Sequence, residues 1–432
     1  VLPGCRQFRI RPRRRHLLGL LAIVLGPPLA WAALVGVCPT EWARRRVEAR
    51  LEAATGLPAR VGALRLGALG GVRLESVALG RPNADDGDPA LRVASARVDL
   101  SLARLAWGDL EASELRVEGA DLRVIRDAEG RLNLADLLAP RPDRPTAVAA
   151  GGDSSDDGPD LAVRLSRSRV VVIDQVSGTR LVLEKAEALG VWSPTAGRAE
   201  LSELRGQLNG GTLELAAAIE PGCGPARPLA FEGQLRLRGV RLGSGLAAPL
   251  GYLLPIAAGG RSNSLEGRLD LDLALRGRGE SADELVASLA GCGEAIVDPI
   301  RLDGSALLAE LAGVLPMPGS SRIGAARSRF VVGGGGVSTE SLRLAVGRVP
   351  IELAGRTGFD GTLDYRLRGE ALTAQLPDEA RRLLEGLPIG ADDLVGLHLV
   401  GTLDQPRLEG GPAGGEEGLR ELGRRLRDRL LR

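Results

Sequence analysis

The sequence predicts a mainly β protein: a long succession of antiparallel strands with a few short helices, preceded by an N-terminal transmembrane helix. Three observations carry that expectation. Apolar residues alternate with charged ones over many stretches, as a pleated strand requires, because successive side chains point to opposite faces. Gly, Pro, Asn and Asp fall between these stretches at turn-like intervals. Helical periodicity is confined to a few short segments. The chain has 432 residues, of which 44% are hydrophobic and nearly all of those aliphatic, so disorder is excluded.

At the amino end, Leu17 to Val37 form an uncharged apolar run of the length that crosses a bilayer as a helix. Arg11, Arg13, Arg14 and Arg15 precede it, which by the positive-inside bias places the amino terminus in the cytoplasm. Pro27 and Pro28 interrupt the run, as membrane helices tolerate. Ala30-Trp31-Ala32 resembles a signal-peptidase site, but the apolar stretch continues past it, which favours an uncleaved anchor. Val precedes Cys38, where a lipoprotein cleavage site wants a small residue. The expected organisation is a basic flank and anchor over 1–38, a helix and strands over 39–138, and a linker or long loop over 139–160. A strand-rich body over 161–410 and a basic amphipathic helix over 411–432 complete it. Both readings of the amino end export the body, and no second run is long enough to span, so the chain is expected to be single-pass, or secreted if cleaved, with its bulk outside the cytoplasm.

Thr40 is placed to cap a helix over Glu41–Ala54, stopped by Gly56 and Pro58. Strands are then expected over Ala59–Leu66, Val72–Leu79, Leu91–Leu100, Leu110–Glu118 and Leu122–Arg126, with a tight turn over Asp127–Gly130. They resume over Leu161–Ile173, Thr179–Leu189, Ala199–Leu208, Thr212–Ile219 and Leu229–Leu237. The clearest alternation is Leu265, Leu269, Leu271, Leu273 and Leu275 against Glu266, Arg268, Asp270, Asp272 and Arg276. Leu342, Leu344 and Val346, then Ile351 and Leu353, then Leu363, Tyr365 and Leu367 repeat it, as do Leu397 and Leu399. A capping-box pattern at Ser281 and Glu284 opens a short helix stopped by Gly291, and Ser305–Leu315 reads as another. Leu419, Leu422, Leu426 and Leu430 form the stripe of the terminal helix, whose Arg420, Arg424, Arg425 and Arg427 suit anionic headgroups or the end of the sheet.

Composition removes several classes of function. A net charge of +1 provides no global field for nucleic acid, and 2% aromatic residues leave few stacking platforms. Two histidines, His16 and His398, leave little material for a metal or acid–base site, and no cofactor or metal is expected. Gly333–Gly336 lacks the GxGxxG spacing and a following helix, so it reads as a hairpin turn and not a phosphate loop. Asp85, Asp86 and Asp88, and Asp153, Asp156 and Asp157, fit no calcium-loop spacing and read as solvated loops. Cys223 and Cys292 are alone in the exported part; a disulfide and two small buried residues are both open.

The sequence resembles the AsmA family of envelope proteins, within the wider group of bridge-like β-groove proteins. At the amino end the match lies in Thr55-Gly56-Leu57-Pro58-Ala59-Arg60-Val61-Gly62, in the strand ending Val77-Ala78-Leu79-Gly80, and in Leu115–Leu138. At the carboxyl end it runs through Leu271–Gly277, Gly279-Glu280-Ser281 and Ser288–Gly291. It continues in Phe330-Val331-Val332, Phe359–Tyr365 and Gly401-Thr402-Leu403-Asp404-Gln405-Pro406. The middle section is short for the family. The resemblance implies an elongated, curved antiparallel sheet, a half-pipe or β-groove, on a protein anchored in the inner membrane with a periplasmic body. It implies a part in phospholipid transport and outer-membrane homeostasis, phospholipids and other envelope proteins as partners, and no catalytic residues. On that reading Leu265, Leu269, Leu271, Leu273, Leu275, Leu342, Leu344, Val346, Ile351, Leu353, Leu363, Tyr365 and Leu367 line the groove, unless they form a closed sandwich core. A scaffold that assists outer-membrane protein assembly through its strand edges is the alternative function.

Overall fold

The computed structural model describes residues 40–66, 71–80, 89–100, 112–129, 133, 160–175, 179–193, 197–221, 228–243, 246, 250–255, 264–280, 282–303, 322–346, 349–368 and 398–409. Among them are eighteen strands and two helices, so the mainly β class holds. The chain divides into two units, 1–118 and 119–432. The expected anchor, the helix over Ser305–Leu315, the basic terminal helix with Arg420, Arg424, Arg425 and Arg427, both Asp clusters and Cys223 lie outside the described residues. So does the expected linker, apart from Asp160.

In the first unit, helix α1 (Thr40–Thr55) ends where Gly56 takes a left-handed φ of 71° and its N–H closes on the Glu52 carbonyl at 2.7 Å. Strands β1 (Ala59–Leu66), β2 (Gly71–Leu79) and β3 (Leu91–Leu100) follow as an antiparallel meander. The register sets Val61 opposite Val77 and Val77 opposite Val93, and all three are buried, so one row of valines holds the three strands together. The unit boundary falls within β4 (Ala112–Arg126). Two strands were expected there. The chain stays in one because Gly119, at φ 64°, absorbs the irregularity without a turn.

The second unit continues with β5 (Leu161–Asp174), β6 (Thr179–Ser193), β7 (Arg198–Leu208), β8 (Gly211–Pro221), β9 (Leu229–Leu242) and β10 (Ser264–Gly279). Each pairs antiparallel with the next. Helix α2 (Ala282–Ala287) is shorter than expected, and Gly291 does not stop it. That glycine belongs to β11 (Ala290–Val297), where a Cβ would run into the Ala274 carbonyl of β10. Strands β11 and β12 (Ile300–Asp303) lie end to end between β10 and β13 (Arg322–Gly333). A meander then runs through β14 (Gly336–Val346), β15 (Val349–Gly358), β16 (Thr362–Leu367), β17 (His398–Thr402) and β18 (Pro406–Glu409). As expected, Gly333–Gly336 is a hairpin: Gly334 and Gly335 both have positive φ, the backbone of a two-residue primed turn.

Among the described residues one hydrophobic core serves this second unit. The pairings set Leu237, Leu271, Ala295, Ser328, Leu342, Leu353 and Leu367 opposite one another in a row that crosses seven strands, and all seven are buried. Part of its cover comes from the connection between β9 and β10. There the Leu253 and Leu254 N–H groups both close on the Leu250 carbonyl, making one helical turn. Leu250 and Leu254 are buried in the core, the Tyr252 hydroxyl reaches the Phe359 carbonyl at 3.5 Å, and Gly251 faces Leu403.

Candidate functional site

The apolar face of the second unit follows from alternation plus register. Every second residue of each strand points to it, and the pairings align those residues into rows across the strands. What differs along the face is how completely the rows are covered.

Over β13 to β17 the face is sealed. Leu342, Leu344, Ile351, Leu353, Leu363, Tyr365 and Leu367 are between 0% and 4% exposed, as are Phe330 and Leu399. Leu269 and Leu271 of β10 are no more than 5% exposed. These nine expected groove residues therefore belong to a packed protein core and do not line an open channel. The physical reason is the cover on this part of the face, in which Leu250 and Leu254 take part. Tyr365 shows how finished the packing is. Its ring lies over Gly355, and its hydroxyl shares hydrogen bonds with the Thr339 and Thr357 hydroxyls at 3.1 and 2.8 Å. Burial pushes its ionisation above the ordinary tyrosine range, opposed by those two hydrogen bonds. The side chains of Leu265 and Val346 lie outside the described residues.

Over β7 to β10 the cover is split: Leu208, Leu237, Val240 and Leu271 are buried, but toward the other end of these strands the same face is only half covered. Leu273 is half-buried, and so are its row neighbours Leu204, Leu215 and Leu235, as is Leu275 in the next row. One step nearer the strand ends the cover fails further. Trp192, Ala199, Ile219, Phe231 and Gly277 are successive cross-strand partners. Trp192 is 51% exposed and Ile219 41%, and Leu229 beyond them is 48% exposed. Helix α2 borders this rim: a Cβ on Gly277 would touch the Leu285 carbonyl and Leu289, each at 3.2 Å, while Val286 faces outward. Sequence reading placed the open apolar surface on β10 and β14–β16 and missed this rim. The available signal was Trp192, one of four tryptophans in the chain, standing on a strand.

The opposite face carries the interspersed charges that the sequence led us to expect. Arg236 bridges Glu214 at 3.4 Å and Asp272 at 3.1 Å, and Arg238 grips Asp272 again at 2.7 Å. The Arg238 hydrogen bond leads in holding the Asp272 carboxyl below its ordinary range; burial opposes it, and Arg236 adds to the lowering. Two cavities, of about 390 and 410 Å³, open here; Glu214, Arg236 and Asp272 line the first together with Leu215, Leu235 and Leu273 of the leucine row. The first is floored by Ala216, Ala274 and the free, exposed Cys292. His398 is half-buried, opposite Arg366 and Glu409 in the register. Among the described residues no group of three His, Cys, Asp or Glu could hold a metal ion, and no helix is long and apolar enough to cross a membrane.

No model of a known protein family matches the chain, and no curated protein matches it either.

Proposed function

We propose that this chain is a non-enzymatic, AsmA-like envelope protein. On this reading it is anchored in the inner membrane with its body in the periplasm, and its apolar β-groove holds lipid acyl chains for phospholipid transport and outer-membrane homeostasis. The groove is the half-covered stretch of β7 to β10, bounded by the rim at Trp192, Ile219 and Leu229; the sealed strands beyond it are its structural wall. The observation that carries the reading is the continuous row Leu204, Leu215, Leu235 and Leu273, which aligns across four strands and stays half-buried. A face of this kind gains about 0.8 kcal/mol for each methylene that it shields from water, without any fixed polar site. A chain can therefore slide along it at little cost. The charged opposite face keeps such a sheet soluble.

The test is photocrosslinking from the full chain in its membrane. Probes at Leu235 and Leu273 should yield lipid adducts, while probes at Arg236 and Asp272 on the opposite face, and at the sealed Leu342, should not. Equal labelling at all five positions defeats the proposal. Protein adducts in place of lipid at Leu235 and Leu273 would defeat it as well, in favour of the assembly scaffold.

A further inference from the structure

The strongest unexplained feature lies in the first unit, at the outer edge of β1. Among the described residues β1 pairs with β2 alone, and an unpaired strand edge is a template for another strand. Helix α1 lies along that edge and meets it with side chains. The Ala59 N–H donates to Glu52 Oε1 at 3.0 Å and the Val61 N–H donates to Glu48 Oε1 at 2.8 Å. Arg44 Nη1 donates to the Val61 carbonyl at 3.1 Å and also to Glu48 Oε1 at 3.2 Å. Val61 thus has both its N–H and its C=O occupied, as it would opposite a hydrogen-bonded residue of a neighbouring strand.

The match has a geometric cause. Glu48 and Glu52 are four residues apart on a helix, a rise of about 6 Å. Ala59 and Val61 are two residues apart on a strand, about 6.7 Å. Carboxylates at that helical spacing therefore meet successive outward N–H groups of the strand. The next position in the series is Arg44, a donor, and it turns to the carbonyl instead. Little apolar packing competes with these contacts in holding the helix: among the described side chains of α1 none is buried, and Trp42 is exposed with Arg46 over its ring.

We propose that α1 is an edge guard. Glu48, Glu52 and Arg44 stand in for a neighbouring strand, and their docking is what keeps the β1 edge of one copy from pairing with the β1 edge of a second copy of this chain. The inference is independent of the lipid reading. The edge is self-complementary in principle, because two antiparallel copies of β1 can offer each other the same alternating N–H and C=O groups.

Amide hydrogen exchange on the full chain tests this, with mass measured by light scattering. In the unaltered protein the Ala59 and Val61 amides should exchange at least tenfold more slowly than a free peptide; exchange at the free rate overturns the proposal without any variant. Glu48→Ala with Glu52→Ala should free both amides at low protein concentration. It should protect them again at high concentration, as dimer forms several-fold above the unaltered chain. Glu48→Gln with Glu52→Gln should behave like the unaltered protein, because an amide oxygen still accepts the strand N–H. Amides that stay slow in the alanine variant at low concentration, or stay fast at every concentration without added dimer, overturn it. Equal dimerisation of the glutamine variant also does so, since charge and not hydrogen bonding would then be the guard.

Discussion

The strands β13–β17 and the strands β7–β10 carry the same leucine alternation on the same face of one unit, yet they end in different physical states. Phe330, Leu342 and Leu353 are 2% exposed or less, while Leu204, Leu235 and Leu273 remain half-buried. Alternation alone sets which way a side chain points. What it meets there depends on a second layer, and that layer is unevenly distributed. Leu250 and Leu254 of the β9–β10 connection join the sealed core, with Tyr252 and Gly251 meeting residues of the β15–β16 turn and of the β17–β18 turn. Near the rim α2 and the residues just after it lie against Gly277, Arg278 and Gly279 at the end of β10. The lesson is that one apolar face can serve as a structural wall in one place and as a binding surface in another.

The comparison breaks first on core truncation. Phe330→Ala should destabilise the protein by about 3–5 kcal/mol in urea denaturation, because a large side chain leaves a cavity in a closed core. Leu235→Ala should cost about 1–2 kcal/mol, since water already reaches that site and less is lost. Equal costs would mean that the two ends are packed alike and that no open groove exists. Leu254→Ala tests the cover itself. It should cost about 2–4 kcal/mol and raise the fluorescence of an apolar dye, as the sealed leucines become accessible. Loss of stability without dye binding would show that other residues suffice to close the face.

A finer distinction concerns the polar groups of the sealed end. Tyr365→Phe removes the hydroxyl shared by Thr339 and Thr357 and should cost about 1–3 kcal/mol, because two buried hydroxyls lose their partner. The same residue predicts an alkaline limit. Its ionisation is raised in the folded chain above the ordinary 10.0, so its contribution is complete below that pH. Above it the unfolded chain gives up the proton first, and stability falls as the pH climbs towards the folded value. The Phe variant should lose less stability over that window, which denaturation at several alkaline pH values would check.

How much of this was legible in the sequence depends on range. The strand positions were legible because alternation is local: β1 and β3 have the expected bounds, and the Gly334–Gly335 turn followed from composition. Helix α1 was legible for the same reason, from its cap and its Gly56 stop. The division between sealed and open leucines was not, because it depends on residues 250–255 crossing to strands more than a hundred positions later. Irregularities hid more. In β6, Lys185 takes a φ of 52° and the register slips between Glu184 and Glu187. Buried residues therefore shift from Leu183 to Ala186, and Leu189 is left 42% exposed. A strict period of two carried past Lys185 assigns the wrong face to everything beyond it, Trp192 included. The guard contacts of Glu48 and Glu52 were invisible for another reason: on a helix, acids four apart look like any solvated face.

The smallest effect should be found on the charged side, where neither end of the sheet is sealed. Asp272→Asn removes the carboxylate that Arg236 and Arg238 share, but all three side chains are exposed. Solvent and salt screen such pairs, so the loss should stay below about 1 kcal/mol and shrink further as salt is added. Its pH dependence has a definite sign. The Asp272 carboxyl is held below the ordinary 3.8 chiefly by the Arg238 hydrogen bond, so its contribution is complete above that value. It is lost as the pH falls through the lowered folded value, because the unfolded chain takes up the proton first. The difference between the unaltered and Asn chains should therefore vanish in acid and persist at neutral pH. A loss as large as that of Phe330→Ala would instead make the charged ladder a structural element, and the leucine face would no longer account for how this sheet is held.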